Sequence, residues 1–496
     1  MANSETLTYD VLVIGAGTAG CYFAHEMAVK GHKVLVVDRD SEEELGQRLR
    51  TLHVDWEMFH KLGIPMPRVG DEDFYNFFYD GSYYSPKSQY KKRKAGTECI
   101  KYAYYPFLVT GLPPLLKRMR KWCTDAGVAF ALSTEFTGFR YDEYSRIAGG
   151  FCRRLTDGSV LEVAARLTAD CSGLEAAGRI RMHSRSCIDR LPVAQEDKMF
   201  VVLNFLKLKN PEEDAPVRAE HWAYYKAWIG QSMERDECII GTGANISYAY
   251  AEECYERFKQ AVELPEGEYI RQERGEIPYR RAPYALADDG FVVMGDAACM
   301  NKWVGEGVCS GWVGARMAAD VADKAMKHDK YPTREALWEY CVRYNRSQAA
   351  DFSYIMATLI NSVDCTEEEM EYEFRHEIVF NDKAMTRLNR EYNAELPPAE
   401  AVELVGKMVG GVLTKNISLG TAKNLVKGVS FATLLKAHYR RFPKTYAGYA
   451  KWAAAADKLW TACGTMYDAT ICIEKRVERK KEAAMKEETP IEATVA

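Results

Sequence analysis

The sequence predicts an α/β fold, α+β overall, and three stretches predict it. The first is an apolar, β-branched run, Val11-Leu12-Val13-Ile14, which breaks into Gly15-x-Gly17-x-x-Gly20 and continues as a helical pattern from Cys21 to Lys30. The second is another apolar run, Val34-Leu35-Val36-Val37, closed by Asp38. The third is Phe291-Val292-Val293-Met294, followed by Gly295-Asp296-Ala297-Ala298 and a long helical pattern to Met326. Short apolar runs that end in glycine and feed helices read as buried parallel strands. Together they predict a Rossmann-type nucleotide-binding domain.

Each glycine of the first turn has its own physical task. Gly15 permits the tight strand-to-helix turn, Gly17 lets the backbone approach a pyrophosphate, and Gly20 lets helix and strand pack closely. The phosphates then sit at the helix N-terminus, around Thr18 and Ala19, where free N–H groups and the helix dipole favour negative charge. Asp38 follows about 20 residues on, where a carboxylate accepts hydrogen bonds from ribose hydroxyls. A strand before, a helix after and an acid at this distance predict a dinucleotide site rather than a glycine-rich turn of no function.

The third stretch decides which dinucleotide. Gly295-Asp296-Ala297-Ala298, then Gly305-Glu306-Gly307-Val308 and a helix, resembles the second FAD motif of the flavoproteins that include p-hydroxybenzoate hydroxylase, the flavin-dependent halogenases and the geranylgeranyl reductases. The resemblance implies that Asp296 binds the ribityl chain and that Gly305, Gly307 and Val308 lay backbone N–H groups along the pyrimidine edge of the flavin. A helix beginning near Gly307 would also stabilise negative charge there. FAD is therefore the expected cofactor, in a Rossmann-type FAD-binding domain.

Within that group the resemblance narrows to the geranylgeranyl reductase family. Gly275-Glu276-Ile277-Pro278-Tyr279-Arg280-Arg281-Ala282-Pro283 is similar to that family's connection into the second motif. Thr168-Ala169-Asp170-Cys171-Ser172-Gly173 resembles the point where its chain re-enters the nucleotide domain. The family's substrate-cavity motif, Tyr-x-Trp-x-Phe-Pro followed by Gly-x-Gly, is partly present. Trp228, Gly241 and Gly243 match, Tyr225 falls one place off, and Gly230-Gln231 stands where the family has Phe-Pro. Trp228 and Tyr225 are thus the expected substrate wall, with a reshaped pocket. The halogenase Trp-x-Trp-x-Ile-Pro motif is not there, and the resemblance fades over the last ~150 residues.

The expected domains follow. An FAD-binding domain is built discontinuously from 8–72, 108–182 and 286–345, and an inserted antiparallel-sheet substrate domain from 73–107 and 183–285. A C-terminal helical region spans 346–473 and a charged tail 474–496. In the first insertion, Asp80-Gly81 between aromatic runs reads as a hairpin turn, and Lys91-Lys92-Arg93-Lys94 as a solvated one. Met356–Asn361, Glu400–Val409 and Phe431–His438 carry helical spacing. That region would cap the substrate site, mediate homo-oligomerisation or make peripheral membrane contact.

Composition narrows the partners. A net charge of −5 and a pI near 6.1 argue against nucleic acid. The charge-free run Tyr102–Leu116 carries three prolines and is too short to span a bilayer. No basic–apolar–small leader is legible before Tyr9, so a cytoplasmic chain is expected. Fourteen cysteines without a Cys-x-x-Cys pair read as small core residues, not as a metal or iron–sulfur centre.

The expected chemistry is FAD-dependent reduction of a carbon–carbon double bond in a hydrophobic or aromatic small molecule. Hydride comes from reduced flavin and a proton from a side chain or water. No second Gly-x-Gly-x-x-Gly marks an NADPH domain, so the electron donor is NAD(P)H docking transiently, ferredoxin or another flavoprotein. Arg39 and Arg48 or Arg50 are the basic candidates to reach the FAD, while Tyr225, Tyr279 and Cys299 are the candidate proton donors. One alternative is an aromatic monooxygenase, although its His-x-x-x-Pro is missing after Ala298. The other is an electron-transfer flavoprotein.

Overall fold

A computed structural model describes residues 5–85, 100–214, 218–221, 226–232, 234, 236–301, 307–362, 365–378, 381–391 and 395–464. The nucleotide-binding sheet has six strands in the order Ala287–Asp288, Phe291–Val293, Leu167–Asp170, Val11–Ile14, Val34–Val37 and Ala129–Ala131. The last five run parallel. Val11, Leu12, Val13, Val36 and Val37 are fully buried, as a strand covered on both faces requires. The helix Thr18–Val29 covers one face, and the helix Gly307–Met326 packs along it through Trp312, whose Nε1 donates to the Thr18 carbonyl at 3.2 Å. A four-stranded sheet, Glu5–Thr8, Val160–Ala164, Ile147–Arg154 and Thr134–Tyr141, completes this part.

The second large sheet has eight strands, in the order Gly267–Pro278, Lys198–Leu208, Glu237–Ala244, Lys226–Gln231, Arg218–His221, Asn76–Tyr84, Ile100–Gly111 and Thr51–Asp55. Its pairs are antiparallel except one. Arg218–His221 runs parallel to Asn76–Tyr84, where the two insertions meet. No hairpin links those insertions, so neither direction is imposed on them. Thr51–Asp55, inside the 8–72 segment expected in the nucleotide domain, forms an edge of this sheet.

The sheet curls until its two edges are bridged. The buried Glu273 carboxylate, on one edge strand, accepts from the backbone N–H of Arg50 and Thr51, both at 2.9 Å, and from Thr51 Oγ1 at 3.1 Å. On the same opposite edge, His53 Nε2 donates to the Gln231 carbonyl at 3.1 Å. One face of the sheet packs Ile229 and Ile240 against Phe258 of the helix Tyr248–Ala261.

One sequence expectation is corrected here. Asp80-Gly81 is not a hairpin turn, because Asn76–Tyr84 is a single strand that pairs throughout with Ile100–Gly111. The register shifts between Phe78 and Asp80, where one residue of this strand faces two of its partner, and Asp80-Gly81 pairs regularly with Tyr104 and Ala103 beyond that bulge. The Lys91–Lys94 run and the tail after Glu474 lie outside the described residues.

Helices dominate after Arg334. The π-helical turn Asn345–Ala349 joins Arg334–Tyr344 to Ala350–Ser362, which packs on Leu419–Tyr439. The last described helix, Tyr449–Cys463, docks on the connection into the second motif. There Tyr284 Oη donates to Asp457 at 2.8 Å, and Arg281 lies over the Tyr284 ring at 4.0 Å. Among the described residues no helix is long and apolar enough to cross a membrane, and no cluster of three or more His, Cys, Asp or Glu could hold a metal ion.

Candidate active site

The C-terminal ends of the parallel strands open into a cavity of about 980 Å³, at the upper end of small-molecule sites. Its walls include Gly15, Gly17, Thr18, Ala19, Asp38, Arg39, Arg48, Gly295, Asp296, Gly307 and Val308. The two glycine motifs, some 280 residues apart in sequence, therefore meet on one space. Gly20 does not line it and serves packing instead, because a Cβ there would overlap the Gly15 carbonyl. Gly305 lies outside the described residues.

The strand-to-helix turn has the predicted geometry. Gly15 adopts φ +104°, and a Cβ on it would overlap the Cys171 carbonyl, so only glycine fits. Gly17, the N-cap of Thr18–Val29, has no protein atom within 4 Å of its Cβ position. That open side is the approach a pyrophosphate needs. Asp38 accepts from the Ala16 N–H at 2.6 Å and the Asp40 N–H at 2.9 Å. Burial nonetheless pushes its carboxyl above the usual range, and each oxygen keeps a lone pair for ribose hydroxyls.

Asp296 is the second acid. One of its oxygens lies 3.1 Å from where a Cβ on Gly307 would stand, at the start of the helix Gly307–Met326. Among the described residues no donor reaches its carboxylate, and burial pushes its pKa up to about 6. An acceptor left without donors beside a helix N-terminus fits the ribityl hydroxyls of FAD.

The cations on the walls are mostly neutralised. Arg39 pairs with Glu175 at 2.5 Å, Lys198 with Glu276 at 2.8 Å, and Arg274 with Glu252. Among the described lining residues, Arg48 is the cation without a carboxylate partner.

Other expected residues lie elsewhere. Cys299 sits in the left-handed region, φ 50°. That turn carries it away from the large cavity into a void of about 20 Å³, shared with Tyr344, Phe352 and Trp460 of the helical region. It does not line the large cavity, and burial raises its thiol to about 11, so it is not a ready acid. Tyr279 is buried and does not line the cavity. Tyr225 lies outside the described residues. Trp228 pairs across the strands with Gly241, and its ring occupies the space a Cβ there would need. It is part of the sheet core, not of the cavity wall. Trp228→Ala is therefore expected to cost about 3–5 kcal/mol of stability, read as a lowered Tm, with the flavin content of the folded protein unchanged.

Two polar groups on the walls escaped the sequence reading. Asn301 lines both the large cavity and the void at Cys299. Tyr248 begins a helix capped by Ser247, whose Oγ accepts from the Tyr250 N–H at 3.1 Å. The cap is legible in sequence, but its position at the cavity is not. None of the described lining residues lies beyond Gly311.

Comparisons with known proteins point to the same cofactor. A family model described as an FAD binding domain matches residues 8–237. The chain is 24% identical over 372 residues to digeranylgeranylglycerophospholipid reductase of Sulfolobus acidocaldarius, covering 70% of this chain and 76% of that protein. The chain thus carries an FAD-binding domain and is similar to geranylgeranyl reductase-like flavoproteins. A geranylgeranyl bacteriochlorophyll reductase-like protein from Thermoplasma acidophilum shares the flavoprotein fold, with TM-score 0.60, 15% identity, and 83% of this chain and 98% of that chain covered. A probable FAD-dependent monooxygenase from Pseudomonas aeruginosa also shares it, with TM-score 0.51, 16% identity, and 74% and 97% covered. The flavoprotein fold thus hosts more than one chemistry, and the reaction must be argued from the site.

Proposed function

We propose that this flavoenzyme reduces a carbon–carbon double bond of a hydrophobic or aromatic small molecule. The observation that carries this reading is the length of the likeness to the Sulfolobus reductase. Its 372 aligned residues extend past the FAD-binding match, which ends at 237. That relative's name specifies a geranylgeranyl phospholipid, but the isoprenoid is not carried over. Where the related family has Phe-Pro, Gly230 leaves room for the His53 ring, 3.0 Å from its Cβ position. A phenylalanine there would collide with that ring, so this segment is packed differently from the related family's motif.

FAD, when bound and reduced, supplies the hydride. The chain does the rest. The N-terminus of Thr18–Val29 and the open side of Gly17 would hold the pyrophosphate, with Arg48 offering its guanidinium. Asp38 and Asp296 would accept from the ribose and ribityl hydroxyls, and the helix starting at Gly307 would stabilise negative charge on the reduced flavin. Tyr248 is the one phenol among the described lining residues. Burial, then the charge of Glu276, holds its pKa above the usual value, so it stays protonated and is the proposed proton donor. The electron donor is NAD(P)H, ferredoxin or another flavoprotein, docking transiently. The described cysteines are thiols, which supports a reducing, cytoplasmic compartment.

The test is anaerobic. Photoreduced enzyme mixed with a panel of unsaturated compounds should be reoxidised by its substrate without oxygen. Tyr248→Phe should slow that step by about 100-fold or more while keeping its flavin. Reoxidation by oxygen alone, across a broad panel, would refute the proposal.

A further inference from the structure

The helix Pro398–Leu413 is fully amphipathic but covered on one side only. Leu404, Met408 and Val412 pack with Ile417 and Leu425. The adjoining stripe holds Val402, Val405, Val409 and Leu413, exposed by 74%, 53%, 53% and 78%. Spacings of three and four residues put them on one face. Gly406 and Gly410 share that face, and neither has an atom within 4 Å of its Cβ position. Past an exposed turn, Leu419, Val426 and Leu434 are also exposed, on the helix Leu419–Tyr439. Seven of the seventeen large apolar side chains exposed among the described residues thus fall in this short segment, a clustering that soluble surfaces avoid unless they bind something.

Charge distinguishes what they bind. From Leu404 to Ala456 the sequence has no Asp or Glu and nine Lys or Arg, in a chain whose net charge is −5. Among the described residues Lys415, Lys423 and Lys427 are exposed and pair with no carboxylate.

We propose that this helix pair is the surface by which the enzyme rests on an anionic lipid bilayer. The valine and leucine stripe enters the headgroup–acyl boundary, and the lysines meet lipid phosphates. A second copy of the chain is a poorer occupant. A two-fold contact through this face would set its unpaired lysines against their own copies. The inference rests on this surface and not on the reaction at the flavin, so failure of one leaves the other standing.

Flotation or cosedimentation of the full-length holoenzyme with vesicles tests it. Wild type should bind phosphatidylcholine vesicles containing about one third phosphatidylglycerol, bind pure phosphatidylcholine weakly, and release in high salt. Val405→Asp with Val409→Asp, and separately Lys415→Glu with Lys423→Glu, should each lower binding at least about ten-fold. Both sets of positions are exposed, so flavin absorbance and circular dichroism should be unchanged. Wild-type binding retained by either variant, or no wild-type binding to anionic vesicles, would overturn the proposal. So would a wild-type dimer in sedimentation velocity that the aspartate variant splits while vesicles go unbound.

Discussion

Gly17→Val is expected to give a folded protein that holds no FAD. The backbone at Gly17 is extended, with φ −72° and ψ −175°, a conformation open to any residue. With nothing within 4 Å of its Cβ position, the new Cβ meets no protein atom. It meets the pyrophosphate instead, and loss of close backbone approach should weaken FAD by at least about 100-fold, or ~2.7 kcal/mol. Gly15→Ala makes the contrast. There the left-handed φ and the Cys171 carbonyl oppose any side chain, so folding and flavin should fail together. Thermal unfolding and flavin absorbance of the two purified variants separate these outcomes. A Gly17→Val protein with a full flavin spectrum would show that the phosphates lie elsewhere.

Asp296→Ala should weaken FAD by about 1.5–3 kcal/mol, because the ribityl hydroxyls lose a buried charged acceptor. The same carboxylate should make binding pH-dependent. In the free protein burial holds its pKa at about 6, and hydroxyls that donate to the ionised form lower it in the complex. The contribution is therefore fully present above about pH 6 and is lost as pH falls through the free and then the bound pKa. Titration of apoenzyme with FAD from mildly alkaline to acidic pH should show affinity falling below about 6. Asp296→Asn, which cannot ionise, should flatten that profile. An unchanged profile in the asparagine variant would assign the pH dependence to another group.

The cofactor half of the molecule was legible because its demands are local. A left-handed turn needs Gly15, close backbone approach needs Gly17, and a strand-end carboxylate needs Asp38, each at a fixed offset. The second motif was legible for the same reason, as Gly295 and Asp296 sit on one turn. What escaped depends on tertiary context. The Gly-Asp-Ala-Ala turn places Cys299 beside the motif in sequence, but its left-handed backbone sends the thiol toward the helical region. Trp228 was matched by position, yet the curl of the sheet and the missing Cβ of Gly241 lay its ring into the core. Asp80-Gly81 shows the limit of dipeptide signals, since only strand pairing separates a hairpin turn from a continuous strand. Tyr248 was hidden because a capping serine announces a helix but not where that helix points.

The most direct test of the account follows atoms into product. Under argon, with deuterated reductant in deuterated buffer, the enzyme should yield a product two hydrogens heavier than its substrate, with deuterium on adjacent carbons. Incorporation of oxygen-18 from labelled O₂ into that product would contradict it and make the enzyme a monooxygenase.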